Sequence, residues 1–229
     1  TAAIVVGGLL GLLFKNLLTK SMEDTLLKAS SVCVLFIGIG GAMQHMLKIT
    51  DGALETSGSM MLIICFVLGS IVGELLDIEG AFERFGAWLR KKTHNESDTG
   101  FLSAFIHASL TVCIGAMAIV GSIQDGLLGD SSLLCAKAAL DAVIILVMTA
   151  SMGKACIFSA IPVALLQGGV TLLSRVLAPI FTEAAIANLS YTGSVMIFCV
   201  GLNLVWGKKI KVANLLPTLV FAVLYALVF

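Results

Sequence analysis

The amino-acid sequence predicts an all-α integral membrane protein of about eight transmembrane helices, and three observations predict it. The chain of 229 residues is 59% hydrophobic and only 12% charged, with a mean hydropathy of +1.06. A water-soluble domain of that length needs far more charge to cover its surface. Several windows of roughly eighteen residues carry no charge, or one or two, as helices that cross hydrocarbon do. The basic residues, finally, alternate between loops in the way a bilayer imposes.

The apolar windows place spans at 1–18, 28–48, 58–76, 101–121, 132–150, 155–177, 189–206 and 212–229. Odd-numbered loops and their flanks carry Lys15, Lys20, Lys28, Arg84, Arg90, Lys91, Lys92, Lys154, Lys208, Lys209 and Lys211. Even-numbered ones carry only Lys48, Lys137 and Arg175, so eleven of the 14 basic residues lie on one side. That side is the cytoplasm by the positive-inside rule, which puts both termini outside. The first apolar run meets Lys15 early and begins without methionine, so a few residues are expected to precede Thr1.

Spans 1 and 3 contain small-residue stripes, Gly7/Gly11 and Gly69/Gly73, that mark packing faces within the chain or between protomers. With the small body, these faces make a homodimer the expected assembly. Glu74, at the inner end of span 3, is expected to face water. The longest loop contains GAFERFGAWLRKK (80–92), where Phe82, Phe85, Trp88 and Leu89 fall near one helical face. This reads as an amphipathic helix on the cytoplasmic leaflet, anchoring its neighbours.

Span 4 ends in GAMAIVGSIQDGLLGD (115–130), whose four glycines allow close packing or a helix break. Gly115 and Gly121 are the expected points of pliability, and Ser122, Gln124 and Asp125 the candidate ligands. The alternative is a glycine-rich outer turn whose Asp125 and Asp130 face water. Span 5 holds Lys137 and Asp141 at i and i+4, on one face. A rise of about 1.5 Å per residue puts Asp141 about 15 Å deep, near the midplane, where a carboxylate needs a partner or water. Either the pair is a neutralised structural bridge, or Asp141 takes a cation or proton while Lys137 holds an anionic group.

A second pliable stretch, around Gly153, joins span 5 to span 6, where Pro162 is expected to kink the helix and free the Phe158 carbonyl beside Ser159. Gln167 and Asn203 are buried amides that either pair with other helices or line one cavity with Asp141. The GG pair and the SVCVLFIGI run (7–15, 31–39) recur as GG and SVMIFCVGL (168–175, 194–202). Five spans separate the copies, so they cross in opposite directions. The chain then divides into repeat one (1–77), the interfacial helix and loop (78–100), a central hairpin (101–153) and repeat two (154–229).

Other chemistry finds no support. The six cysteines are scattered in apolar runs without a CxxC pair, and the three histidines have no metal-ligand spacing. No metal or cofactor is expected, no basic stripe points to nucleic acid, and neither HExxH nor GxSxG points to an enzyme. GSIQDGL–GD (121–130) with Lys137 and Asp141, followed by SAIPVALLQGG (159–169), resembles the family of uncharacterised bacterial membrane proteins that includes YdfK and YqgA. The resemblance covers nearly the whole chain and implies a multi-pass protein of the bacterial inner membrane. The residues themselves favour a secondary carrier of a small solute, with a midplane site between the repeats; a scaffold or complex subunit, or a channel, is the alternative. The partners expected are the lipid bilayer and that solute or its coupling ion.

Overall fold

The computed structural model describes residues 1–15, 19–50, 52–93, 100–113, 116–177, 179–207 and 209–228. Its helices are α1 (Ala2–Lys15), α2 (Lys20–Met46), α3 (Ser59–Leu76), α4 (Ile78–Lys92), α5 (Phe101–Cys113), α6 (Ala116–Leu128), α7 (Ser132–Met152), α8 (Ala160–Leu172), α9 (Ser174–Leu177), α10 (Glu183–Trp206) and α11 (Pro217–Val228). Two 3-10 segments, Lys154–Ser159 and Val212–Leu215, lead into α8 and α11. Between α2 and α3 stands an antiparallel hairpin of β1 (Leu47–Thr50) and β2 (Ala53–Thr56), with Lys48 opposite Glu55.

The solvent is legible in α3. Its buried residues are Met61, Cys65, Gly69 and Gly73, a four-residue repeat of mostly small side chains. Its opposite face exposes Met60, Ile63, Val67, Leu68, Ile71 and Leu75. A soluble helix buries its large apolar face; one that turns the small face inward and the large face outward is built for hydrocarbon. Four helical stretches are long and apolar enough to cross a membrane: Ser59–Leu76, Ser132–Met152, Lys154–Leu172 and Glu183–Trp206. Shorter apolar helices cover Ala2–Phe14, Ser31–Met46, Phe101–Cys113 and Val212–Val228.

Close approaches at glycine give the relative directions of the helices. Gly7 packs on the Ala142 backbone and Gly11 on that of Leu146, so numbers rise together and α1 runs parallel to α7. Gly38 meets Phe198 while Gly201 meets Leu35, so α2 and α10 are antiparallel. Gly69 meets Thr218 and Gly73 meets Asn214, which makes α3 antiparallel to α11. Cys156 Sγ reaches the Ala104 carbonyl and Gly126 packs on Thr171 and Ser174, so α5–α6 run with the 3-10 segment and α8. Both glycine stripes of the sequence are therefore packing faces within the chain, the first of the two uses expected of them.

Several boundaries differ from expectation for local reasons. α2 begins at Lys20, eight residues before the expected span, because Thr19 caps it by accepting from the Met22 amide at 3.3 Å. α10 likewise begins six residues early, where the Thr182 hydroxyl accepts from the Ala185 amide at 3.2 Å. The 115–130 stretch is helical from Ala116 to Leu128, and the turn is confined to 129–131, with Gly129 at φ +69°. Pro162 does not kink a helix interior. It is the third residue of α8, where the first amides have no intrahelical acceptor, and the irregularity precedes it as the 3-10 segment. The carbonyl expected to be freed at Phe158 receives the Ala160 amide, shared with Ile157.

α4 lies across the end of the bundle against α5. Leu89 is buried, Phe82 and Phe85 are half-buried, and Gly86 sits under Leu102 and Phe105, while Trp88 remains 52% exposed with Lys92 over its ring. Asp77 starts the helix, its Oδ1 accepting from the Gly80 amide at 3.2 Å and its Oδ2 from Arg84 at 3.0 Å. The Arg84 guanidinium holds the Asp77 carboxyl below its ordinary value of 3.8. A depressed carboxylate stabilises the fold above the unfolded pKa and ceases to do so as pH falls through the lower folded value. The melting-temperature advantage of the wild type over Arg84→Gln is thus expected to shrink between about pH 5 and about pH 3. It is a small effect, since both side chains are more than half exposed. A gap unchanged at acid pH counts against it.

Candidate functional site

Two of the deeply buried charges among the described residues lie together on α7. Lys137 and Asp141 are 6% and 5% exposed. Asp141 stands about 14 Å along a helix about 31 Å long, near its middle. Lys137 Nζ donates to Asp141 Oδ2 at 2.5 Å and to the Val112 carbonyl oxygen at 2.8 Å. That carbonyl belongs to α5, so the ammonium group bonds across from α7 to a second helix. The ammonium group therefore joins an aspartate one turn away on its own helix to the backbone of α5. Next to Asp141, the Ala142 backbone is closed off by Gly7 of α1.

Placing two charges here costs desolvation energy that their attraction roughly offsets only when the geometry is good. Chemically, the arrangement offers an acid–base pair buried between helices. Loosening Lys137 from Asp141 would expose a carboxylate to a cation or proton, and an ammonium to an anion.

The remaining predicted residues are not drawn together around this pair. Ser122, Gln124 and Asp125 lie in the second half of α6, toward the turn at 129–131. Asp130 is exposed in the turn, where its carboxylate receives the Ser132 amide at 3.0 Å, and hydrogen bonds from Ser132 hold it below the ordinary aspartate range. The water-facing alternative is the right one for Asp130. Gln167 is half-buried in α8. Gly121 is buried against Leu134, where α6 and α7 pack, and Gly115 lies outside the described residues. Gly153 is both the end of α7 and the start of the 3-10 segment, at φ +96° and ψ −175°, a conformation open to glycine alone.

Asn203 belongs to a different place. It is roughly 30 Å along α10, against about 14 Å for Asp141 along α7 from the same end of the bundle. Its Oδ1 accepts from the amides of Lys209 and Ile210, both at 3.0 Å, and its Nδ2 donates to the Ile210 carbonyl at 2.7 Å. It fastens the turn after α10 and does not line a cavity with Asp141. Beside it, Glu79 is buried, accepts from the Ala213 amide at 3.0 Å, and gives its own amide to Asn214 Oδ1 at 2.7 Å. Asn214 Nδ2 in turn donates to Glu74 at 2.6 Å, and Lys211 pairs with the same carboxylate. Glu74 is exposed as expected, but it belongs to this latch. The Glu79 role was not read from the sequence; its signal is an acid in the first turn of the amphipathic helix.

Ser122 and Ser159, both expected as ligand candidates, are fully buried, and so are Ser109 and Thr149, which sequence reasoning did not single out; among the described residues none of the four hydroxyls has a hydrogen-bond partner. A serine or threonine inside an apolar run was the available signal for all four.

With this geometry in hand, comparison with known proteins is direct. Residues 1–227 match the family model described as protein of unknown function (DUF554). The chain belongs to this family. It is 24% identical over 219 residues to the uncharacterised membrane protein YdfK of Bacillus subtilis (strain 168), covering 96% of this chain and 90% of the relative. It is 25% identical over 228 residues to the uncharacterised protein YqgA of Escherichia coli (strain K12), covering 96% and 91%. No solved structure matches the chain. The membrane protein expected from the residues and from the resemblance is thus the one found.

Proposed function

We propose that this protein is a secondary carrier for a small solute, with Asp141 as the carboxylate that takes the coupling cation or proton and Lys137 as its releasable partner. The observation that carries the reading is the Lys137–Asp141 pair itself, buried at mid-helix and bonded to the backbone of another helix. A leucine in either place would pack without desolvation cost, so the charges call for a use.

Eight crossings are supported by the helix directions. An eight-span chain makes spans of equal parity parallel and of opposite parity antiparallel. α1 with α7 and α5–α6 with α8 fit the first rule; α2 with α10 and α3 with α11 fit the second. The inverted repeat is supported by a reciprocity. In the SVCVLFIGI and SVMIFCVGL alignment, Leu35 corresponds to Phe198 and Gly38 to Gly201. Gly38 meets Phe198, and Gly201 meets Leu35, which is the pattern of a two-fold axis between α2 and α10. The exchange also turns the packed pair of spans 1 and 5 into that of spans 6 and 4. The glycine pairs contribute nothing to it, since Gly7 and Gly8 pack tightly while Gly168 and Gly169 face open space. Arg84, Arg90, Lys91, Lys92, Lys154, Lys209 and Lys211 fall at or beside the α4 end, which we assign to the cytoplasm of a bacterial inner membrane, with both termini outside.

Thermal stability of the detergent-purified protein, measured across a panel of metabolites and cations on wild type and Asp141→Asn, tests the proposal. The expected result is a solute-specific rise in the wild type that the variant lacks; at a hundred times Kd such binding adds about 2.7 kcal/mol. No rise from any solute, with the variant strongly destabilised by itself, would leave the pair a structural bridge. The second reading, a non-transporting scaffold, then takes over; it is favoured by both observed acceptors of Lys137 lying within the chain.

A further inference from the structure

At the end of the bundle opposite α4, a cavity of about 230 Å³ opens between α2, the β-hairpin, the start of α3 and the start of α10. Its polar lining comes from Gln44, His45, Lys48, Ser57, Asn188 and Tyr191. Asn188 Nδ2 is spent on the Ala222 carbonyl at 3.3 Å. The other five side chains have no hydrogen-bond partner among the described residues. Tyr191 is the most telling of them. It is 2% exposed, its ring lies over Gly58, and its buried hydroxyl is unpaired, although burying a hydroxyl without a partner costs about 1–3 kcal/mol.

A second feature points to the sign of the missing partner. The residue that begins α3 is Gly58, at φ +75°, which has no side chain to cap the helix. The first amides of α3 therefore lack the usual side-chain acceptor, at the positive end of an 18-residue helix. Gly58 and Ser57 line the same cavity. Donors thus converge from four elements: the helix amides, the Tyr191 hydroxyl, the Gln44 amide and the Lys48 ammonium. Among the described residues of the hairpin, Glu55, directly across from Lys48, is the acidic one, and it does not line the cavity.

We propose that this cavity is an anion site, taking a carboxylate or phosphate group through Lys48, the Tyr191 hydroxyl and the start of α3. Its volume exceeds that of a lone phosphate, so the bound species is a small organic anion or the headgroup of an anionic lipid. Both present the same charged oxygens. The site stands apart from Lys137–Asp141 and does not depend on the carrier reading.

Titration calorimetry on the purified protein, with succinate and inorganic phosphate as probes, tests it on wild type, Tyr191→Phe and Lys48→Gln. Neither substitution removes an internal hydrogen bond, so both variants are expected to fold. Saturable binding is expected in the wild type and a loss of about tenfold or more in each variant, the scale of one charge-assisted hydrogen bond. Repeating the titration in nanodiscs separates the sources. If phosphatidylglycerol, and not phosphatidylcholine, displaces the probe, the site holds a lipid headgroup; if neither does, it holds a soluble anion. No binding of either probe in any setting, or binding unchanged by both substitutions, overturns the proposal.

Discussion

Lys137→Met is expected to cost about 3–5 kcal/mol of stability, because it leaves a charge buried without its partner. Asp141 would remain 5% exposed with no cation, and the Val112 carbonyl would lose the hydrogen bond from Lys137. Asp141→Leu should be of similar severity, since it strands the ammonium. The double variant Lys137→Met/Asp141→Leu removes both charges and keeps the volume, so most of the loss should return. What should persist is the loss of the charge-assisted hydrogen bond to the Val112 carbonyl, about 1.5–3 kcal/mol. Unfolding midpoints of the four proteins in one detergent give this cycle directly. Single variants that cost less than about 1 kcal/mol would mean that water already reaches the pair, against its burial. The same cycle separates stability from use: if the double variant is stable yet has lost every solute-induced shift, the pair served binding as well as structure.

How much of this was legible before the coordinates follows from range. Periodicity and charge counting found the apolar runs, because both are local and both are dictated by a 30 Å slab of hydrocarbon. The Lys137–Asp141 bridge was also legible, since residues at i and i+4 share a helix face whatever surrounds them. The third member, the Val112 carbonyl, was not; a backbone acceptor contributed by another helix leaves no mark in the side chains. Asn203 was misplaced for a similar reason. Its residue type announced a buried amide, but only the return of the chain at 209–210 decided what it bonds. The hairpin escaped because its strands are four residues each, too short for alternation to stand out, and with it went the cavity that Gln44, Lys48 and Tyr191 share.

The bundle also contains glycines that look alike in sequence and differ in consequence, and the sharpest contrast is between Gly73 and Gly168. A methyl group at Gly73 would run into the Asn214 carbonyl, which is backbone and cannot swing aside. Asn214 is, moreover, the residue whose side chain holds both Glu74 and the amide of Glu79. Shifting it loosens the latch between α3, α4 and the start of α11. Gly73→Ala is therefore expected at the upper end of the overpacking range, about 3 kcal/mol, with Gly69→Ala against Thr218 close behind. Gly168 sits inside α8 with no heavy atom within 4 Å of where a Cβ would be. There alanine meets nothing and gains helix propensity, so Gly168→Ala should stabilise by about 0.5–1 kcal/mol. Melting temperatures of the two variants beside wild type decide the matter. The predicted order places Gly73→Ala well below and Gly168→Ala at or above it. A tolerated Gly73→Ala would mean that α3 and α11 do not meet at Asn214, and the antiparallel pairing of those two helices would fall with it.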